Sequence, residues 1–405
     1  MTASAASGSL LRQRGFAIYL GARTLSRFAS QIGAVAVGWQ VYDMTSSAFA
    51  LGMIGLVQFI PTALLVFVAG HAVDRFDRKR VVQLCQIAEG LTAVFLAAGT
   101  YGGWLTVSQI FIAMTVVGIA TSFESPAMAA LLPSVVPDGT LQRATATSTG
   151  FAQLAMITGP ALGGFAYAFA PGLPYVMMAA FWLAGSVLMP LVAVTRPVAV
   201  EPSSEIDDLY SGLRFVRSNP AILGTISLDL FAVLLGGATA LLPIYARDIL
   251  HTGPWGLGLL RAAPAIGALA MTIVLARWSI ERRVGLRMFQ AVIVFGVATI
   301  VFALSWWLWL SVAALVIMGA ADTVSVVIRF SLVQLATPDN MRGRVGAVNF
   351  LFINASNQLG QFESGVTAAL FGAMPAAVLG GVGTVLVALL WMRLFPTLRK
   401  VERLE

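Results

Sequence analysis

Nine charged side chains lie inside long apolar stretches of the sequence, where their chemistry is strongly constrained. A charge at the centre of a bilayer costs roughly 3 kcal/mol, so each such residue must face a cavity, water or a partner. Mid-span carboxylates are the usual proton carriers of membrane proteins, and Asp229 and Asp322 fit that role. For Glu89, Arg261 and Glu363, a structural ion pair between helices is the simpler interpretation. The nine residues are Arg23, Arg27, Glu89, Glu124, Asp229, Arg261, Asp322, Arg329 and Glu363.

The spacing of these charges predicts which of them share a helix face. Arg23 and Arg27 are four residues apart, and Asp322 and Arg329 are seven apart, so each pair lies on one side of its helix. The resulting candidates for proton coupling or a substrate cavity are Asp229, Asp322, Glu124, Arg23, Arg27, Arg329 and Arg261.

Asp229 is the residue that we expect to take part in proton or substrate coupling. Its nearest partner is expected to be Arg27 or Arg261, and Arg27 precedes it by nearly half the chain. A low dielectric favours the neutral form of a carboxyl, whereas a nearby arginine favours the charged form. A movement that changes their separation would therefore couple proton binding to conformation. A permanent salt bridge between helices is the alternative.

The composition indicates a membrane protein and excludes several classes of site. The chain is 58% hydrophobic and 11% charged, whereas soluble domains carry about 25% charged residues. No GxxxxGK[ST] loop is present, so ATP is not the expected energy source. His71, His251 and Cys85 lie far apart in sequence, and we expect no metal site, no cofactor and no enzymatic activity. The first ten residues lack the basic start and cleavage pattern of a signal peptide.

Twelve apolar spans of about 20 residues or more are predicted, and the basic residues orient them. Outside the spans, Arg247 is the one Lys or Arg that we place in an outer loop, so both termini are predicted to be cytoplasmic. The net charge of +7 therefore reflects topology rather than nucleic-acid binding. The spans are 16–42, 48–70, 81–101, 105–131, 144–169, 174–194, 221–246, 255–278, 286–304, 306–336, 345–371 and 376–395.

A long polar connection, 195–220, divides six spans from six. We predict an N-terminal bundle over 1–195, a cytoplasmic linker over 196–219 with a short amphipathic helix at 209–216, and a C-terminal bundle over 220–405. A shift of 201 residues aligns the halves and is typical of a duplicated six-span unit. It places Pro137, Asp138, Arg143, Gly159 and Gly164 on Pro338, Asp339, Arg344, Gly360 and Gly365.

The turn between spans two and three has the sequence GHAVDRFDRKR, Gly70–Arg80. It resembles the loop motif that follows the second span of the major facilitator superfamily, with Asp77 where that family usually has glycine. The resemblance implies a cytoplasmic gating loop formed by Gly70, Asp74, Arg75 and Arg78. Asp74 is expected near the start of span eleven, where helix amides are unpaired. A generic basic loop that only sets topology is the alternative.

The fifth span holds GPALGG, Gly159–Gly164. It resembles the exporter motif of the same superfamily, with Ala155 in place of the first glycine. The residues Gly159, Pro160, Gly163 and Gly164 are predicted to permit close helix contact or a hinge, and ordinary helix packing is the alternative.

Longer stretches resemble the drug and siderophore exporter branch of the major facilitator superfamily, which includes the enterobactin exporter and macrolide efflux proteins. They are Glu124–Pro137, Leu228–Leu250, Gly258–Ala268 and Thr337–Asn349. The resemblance implies an all-α membrane protein of twelve helices in two pseudo-symmetric six-helix bundles. In that branch Asp229 and Arg261 correspond to a recurring Asp of span seven and Arg of span eight.

Three functions remain open at this stage. The first is an exporter that exchanges protons for an amphipathic small molecule, either a siderophore or a drug. The second is a proton-coupled uptake symporter for a nutrient, and the third is a non-transporting membrane sensor. The first is favoured by the GPALGG stretch and the intramembrane acids. Its expected partners are a small-molecule substrate, protons and the lipid bilayer, with the chain a monomer in the bacterial inner membrane.

Overall fold

The computed structural model describes residues 10–137, 139–194, 205–278, 282–338 and 341–402, and within these ranges the regular structure is entirely helical. Short 3-10 turns and one π-helical turn, Tyr245–Ile249, join or extend some of the helices. The α-helices are α1 Arg14–Thr45, α2 Ala48–Arg75, α3 Arg78–Gly102, α4 Val107–Leu131, α5 Leu141–Phe169, α6 Leu173–Leu188, α7 Glu205–Ser218, α8 Pro220–Leu235, α9 Leu242–Ile244, α10 Gly253–Arg277, α11 Val284–Ala303, α12 Leu308–Leu335, α13 Arg342–Phe371, α14 Ala373–Leu394 and α15 Pro396–Arg399.

Twelve helical stretches of the described chain are long enough to cross a membrane. Nine of them meet criteria of length and apolarity together. The other three, α1, α5 and α13, contain 32, 29 and 30 residues and include more polar side chains. These twelve confirm the predicted all-α membrane fold. Large apolar residues such as Leu64 and Phe169 are exposed, as is typical of side chains that contact lipid.

The chain forms two compact units, each with its own buried core. The first comprises Met1–Val37 and Ile60–Ser203, and the second comprises Gly38–Phe59 and Ser204–Glu405. The predicted bundles follow chain order, whereas the hairpin 38–59, from the end of α1 and the start of α2, groups with the second unit. The predicted bundle limits therefore remain a prediction.

Helix pairing is repeated in the two units. In the first unit, α3 packs against α4 and α6. In the second, α11 packs against α12 and α14 in the corresponding order of spans. Gly159 of α5 lies against Gln31 of α1, and Gly360 of α13 lies against Val233 of α8. The 201-residue shift places Gly159 on Gly360, so the repeat is reflected in matching close contacts.

Span seven is interrupted at Gly236–Gly237. The helix α8 ends at Leu235, and the chain continues through a 3-10 turn, α9 and the π-helical turn. A Cβ on Gly237 would lie 2.5 Å from the carbonyl oxygen of Gly360 in α13. The absence of a side chain at Gly237 thus allows α13 to approach the break closely. Discontinuous helices of this kind often lie beside the binding sites of transporters.

Polar caps fix several helix ends. Asp77 precedes α3, and its side chain accepts a hydrogen bond from the backbone N–H of Lys79 at 2.9 Å. The acid that replaces the family glycine is therefore an N-cap, which satisfies an otherwise unpaired amide. Thr106 and Gln109 form a capping box at the start of α4. At the start of α8, the side chain of Asn219 accepts hydrogen bonds from the backbone N–H groups of Ala221 and Ile222.

The linker contains a helix, α7, that is longer than the predicted 209–216. Its Val216 is buried in a cluster with Ile222 of α8, Val333 of α12 and Val345 of α13. A Cβ on Gly212 would lie 2.8 Å from the carbonyl oxygen of Arg344. Gly212 and Val216 of α7 therefore pack against the rest of the second unit, whereas Leu213 is exposed.

Candidate functional site

Two carboxylates share one guanidinium in the second unit. Arg329 of α12 forms an ion pair through Nη1 with Asp229 Oδ1 of α8. Its Nη2 lies 3.7 Å from Oδ1 of Asp322, two turns earlier on α12. Arg329 Nε also donates to the backbone carbonyl of Ser325 at 3.3 Å. With all three groups ionised, this triad carries a net charge of −1.

Burial differs between the two acids. The side chains of Arg329 and Asp229 are 9% and 12% exposed, whereas that of Asp322 is 46% exposed. Asp229 lies nine residues into α8, or about 14 Å along a helix that must cross about 30 Å of hydrocarbon. The triad therefore lies deep in the span, with one buried pair and one acid open to a cavity or to lipid.

A small cavity adjoins the triad. Its charged lining is Asp229, Asp322 and Arg329, and the remaining lining residues are Ala232, Val233, Val292, Phe295 and Ser325. Its free space is on the order of one water molecule. Two of its lining residues, Ala232 and Val233, lie just before the break in span seven.

The expected partner of Asp229 is corrected by this arrangement. Arg329 pairs with it, rather than Arg27 or Arg261. Arg27 belongs to the other compact unit. Arg261 has a buried Nε with no hydrogen-bond partner in the described chain, and it lies beside Gly38. The shared face of Asp322 and Arg329 is confirmed, because the carboxylate of Asp322 lies 3.7 Å from the guanidinium of Arg329 on the same helix.

Glu124 is held by neutral donors in the first unit. Gln86 Nε2 of α3 donates to its Oε1 at 2.9 Å, and Ser26 Oγ of α1 donates to its Oε2 at 3.1 Å. The indole Nε1–H of Trp182 donates to Ser26 Oγ at 3.3 Å. Because an indole nitrogen can only donate, the serine hydroxyl is directed at the carboxylate. Helices α1, α3, α4 and α6 thus converge on one acid.

The two arginines of α1 are placed near this acid without a close ion pair. Arg23 Nη1 donates to the hydroxyl of Tyr19 at 2.6 Å, and Tyr19 donates to the carbonyl of Met128 at 2.9 Å. Arg27, one turn further along α1, is exposed. Among the described residues, neither arginine lies within 4.0 Å of a carboxylate oxygen. The shared side of α1 therefore remains a prediction from their four-residue spacing.

The loop after span two is only partly described. Arg78 Nη1 donates to the carbonyl of Ala130 at the end of α4, at 3.0 Å, which ties this loop to the first unit. Arg75 is exposed and Gly70 is half-buried. The side chain of Asp74 lies outside the described residues. The expected contact of Asp74 with span eleven therefore remains a prediction.

The glycines of GPALGG provide a packing surface in the first unit. A Cβ on Gly159 would lie 2.6 Å from the side chain of Gln31, and one on Gly163 would lie 2.9 Å from the carbonyl of Ile32. Pro160 and Gly164 are buried, and α5 continues without interruption through them. The stretch thus supports close contact with α1.

A further polar network lies at the tip of the hairpin 38–59. Tyr42 donates its hydroxyl hydrogen to Asp248. Arg247 donates to the carbonyl of Tyr42 at 3.0 Å, lies 5.3 Å from its ring centroid, and lies 3.7 Å from Asp43. The residue expected to be a lone basic group of an outer loop is therefore the centre of a network.

Comparison with known proteins agrees with this architecture. The sequence model of the Major Facilitator Superfamily matches residues 19–361. The chain belongs to the Major Facilitator Superfamily. It is thus a multi-pass membrane transporter, and small molecules are the substrates implied by the family.

Similar members of the superfamily include named exporters. The chain is 27% identical to the enterobactin exporter EntS of Citrobacter koseri over 94% of this chain and 92% of the relative. It is 28% identical to the multidrug efflux pump Tap of Mycobacterium bovis over 82% of each chain.

Solved superfamily structures share the fold. A bacterial homologue of the human lysosomal transporter Spinster, in an inward-facing and occupied conformation, aligns with a TM-score of 0.76 at 15% identity, over 97% of this chain and 100% of that one. A bacterial homologue of the iron transporter ferroportin aligns with a TM-score of 0.68 at 18% identity, over 94% of this chain and 100% of that one. At these identities the likeness concerns the fold.

The neutral polar residues that hydrogen-bond the intramembrane acids, such as Gln86 and Thr121, were not identified from the sequence. Gln86 precedes Glu89 by three residues on α3, and Thr121 precedes Glu124 by three on α4. Each spacing places an amide or hydroxyl beside an acid on one helix face. Two such pairs on consecutive spans were a signal that Gln86 and Thr121 belong with the acids.

Proposed function

We propose that this chain is a secondary active transporter that exports an amphipathic small molecule by proton antiport across a bacterial inner membrane. It acts as a monomer with both termini in the cytoplasm. The relatives named as an enterobactin exporter and a multidrug efflux pump support the direction and the substrate class. The observation that carries the energy source is the triad in which two acids share one arginine.

The charge count of the triad supports proton coupling. One guanidinium can neutralise one carboxylate, so the second carries an uncompensated charge within the span. Arg329 remains with Asp229 when Asp322 binds a proton, and the net charge of the triad then rises from −1 to zero. A conformational change that moves α8 relative to α12 would alter the distances from Arg329 to the two carboxylates, and with them the electrostatic stabilisation of their charged forms. Proton affinity would then differ between states, which is the requirement for coupling.

Transport in everted membrane vesicles tests the proposal. In such vesicles the cytoplasmic side faces outward, so export appears as uptake into the vesicle. Enterobactin and the amphipathic dye ethidium are the two probes. With an acidic interior, we expect accumulation of at least one probe, and its loss on addition of a protonophore. Vesicles without the protein are the control.

Other results would contradict the proposal. Accumulation only in right-side-out vesicles would identify an uptake symporter. Accumulation that persists with the protonophore but requires a sodium gradient would support export and refute the proton as the coupling ion. Movement of both probes at the rate of empty vesicles would refute export of this substrate class.

A further inference from the structure

Glu89 is a buried acid that the proposed coupling triad does not use. It lies on α3 with 1% of its surface exposed. Its Oε1 accepts a hydrogen bond from the hydroxyl of Thr121 on α4 at 3.1 Å. Its Oε2 is buried and has no hydrogen-bond partner in the part of the chain that the structure describes. The expected ion pair of Glu89 is therefore absent among those residues.

Glu89 and Glu124 each take part in a hydrogen bond between α3 and α4, and these two hydrogen bonds are neighbours. Gln86 of α3 reaches across to Glu124 of α4, and Thr121 of α4 reaches back to Glu89 of α3. On each helix the two residues are three apart and so share one face. The two carboxyl groups thus lie in the same layer of the first unit, one helical turn apart.

Around Glu89 and Glu124, hydrogen-bond acceptors outnumber hydrogen-bond donors. The donors are the amide of Gln86, the hydroxyls of Ser26 and Thr121, and the indole of Trp182, whose hydrogen goes to Ser26. Both oxygens of Glu124 receive a donor, whereas Glu89 Oε2 and Gln86 Oε1 receive none. A buried acceptor without a donor costs about 1–3 kcal/mol. A hydrogen on Glu89 Oε2 would convert one of these acceptors into a donor.

The charges around Glu89 do not supply that missing partner. Glu124 of α4 is of like sign, and the thiol of Cys85 lies on the same helix. Helix α6 contains no charged residue. From α1, Arg27 acts electrostatically on both acids and Arg23 acts on Glu124, without a close ion pair. Glu124 is thus influenced by two arginines and Glu89 by one, and no described cation contacts Glu89 directly.

We propose that Glu89 binds a proton in this layer, while Glu124 stays ionised beside it, and that this is a second proton site of the transporter. The inference rests on the proposed antiport, since the site would bind a second proton in each cycle. Glu124 receives the donors that an ionised carboxylate needs, and Glu89 receives the proton. Each unit would then contain two acids within its spans, one of which binds a proton.

Infrared difference spectroscopy tests the site without any transport measurement. Spectra of the purified protein at low and high pH reveal the C=O stretch of neutral carboxyl groups. We expect Glu89→Gln to lose one such band. Glu124→Gln should keep it, because Glu89 still binds the proton. The matched control is Glu363→Gln, an intramembrane acid whose Oε1 accepts a hydrogen bond from Thr367 at 2.7 Å.

Thr121→Val provides a second variant that leaves both acids intact. Its hydroxyl bonds the same carboxyl, so its removal should shift the frequency of the assigned band. If Glu89→Gln fails to fold, this shift decides the assignment. An unchanged frequency would overturn the proposal, as would a band that survives Glu89→Gln. A band that sodium abolishes at constant pH would identify a sodium site and also refute a proton site.

Transport then tests whether the second proton is coupled. At a gradient of one pH unit, each exchanged proton contributes about a tenfold factor to accumulation. Glu89→Gln should therefore accumulate substrate about tenfold less than the unmodified chain, and Glu363→Gln should match it. Unchanged accumulation in Glu89→Gln would refute the coupled role. If the unmodified chain does not accumulate substrate, the antiport proposal fails, while the infrared result still decides the proton site.

Discussion

Asp322→Asn separates the coupling function of the triad from its structural role. The change removes the carboxylate that lies 3.7 Å from Arg329 and is 46% exposed. An exposed ion pair contributes about 0–1 kcal/mol to stability, so the melting temperature should change little. The Asp229–Arg329 pair remains, and the net charge of the triad rises from −1 to zero. Proton binding at this position is then impossible, whereas the shape of the side chain is kept.

The matched change, Asp229→Asn, has a different expected cost. It leaves a buried arginine without its close partner, and such losses typically cost about 3–5 kcal/mol. Asp322 on the same helix offsets part of that cost because it already lies near the guanidinium. We therefore expect Asp229→Asn to lower the melting temperature clearly more than Asp322→Asn.

Proteoliposomes measure the functional half of this prediction. At a gradient of one pH unit and no membrane potential, loss of one coupled proton should lower steady-state accumulation about tenfold in Asp322→Asn. Exchange of labelled substrate at equal pH should continue, and Glu363→Gln should behave like the unmodified chain. Undiminished accumulation in Asp322→Asn would refute the charge-count argument. Equal destabilisation by both aspartate changes would refute the assignment of Asp229 as the close structural partner.

Three further predictions concern topology and packing. In a cysteine-free background, Trp306→Cys should react with an impermeant thiol reagent from outside the cell and Arg80→Cys should not, and reversed labelling would refute the orientation. Asp77→Ala should destabilise the protein by about 1 kcal/mol in thermal unfolding because α3 loses its N-cap, whereas Asp77→Asn should retain most of the stability. Gly163→Val should reduce the yield of folded protein because its Cβ would meet the α1 backbone at 2.9 Å. Gly150→Ala on the same helix, where the added Cβ meets nothing within 4 Å, is its control, and equal yields would contradict the contact.

The sequence determines helices and helix faces more directly than it determines partners. Twelve spans follow from apolar length, and the shared face of Asp322 and Arg329 follows from helical spacing. The pairing of Arg329 with Asp229 depends on how α8 packs against α12, about 100 positions later in the chain. No periodicity within either helix specifies that contact, so several arginines were equally eligible.

The neutral hydrogen-bond donors around Glu124 illustrate a second limit of prediction from sequence. Charged residues inside spans stand out because their burial is costly, whereas neutral polar residues such as Gln86 and Ser26 can hydrogen-bond between membrane helices at many positions. Their importance arises because α1 and α3 each direct one donor at the carboxyl group of Glu124 on α4. The break in span seven had a visible signal in Gly236–Gly237. Its close contact with α13 could not be read from that pair alone.

The membership of the hairpin 38–59 in the second unit has a consequence for biogenesis. Phe49 contacts the ring of Phe362 at 6.3 Å between centroids, and a Cβ on Gly52 would lie 3.0 Å from Gly365. These contacts join residues separated by more than three-quarters of the chain. During synthesis the hairpin enters the membrane early, but its packing surface on α13 does not exist until residue 365 has left the ribosome. Since long-range contacts form slowly, this part of the second unit is expected to assemble last. A fragment that begins after the linker would contain α13 but lack the hairpin that covers it, so co-expression with an N-terminal fragment should be required for its stable accumulation.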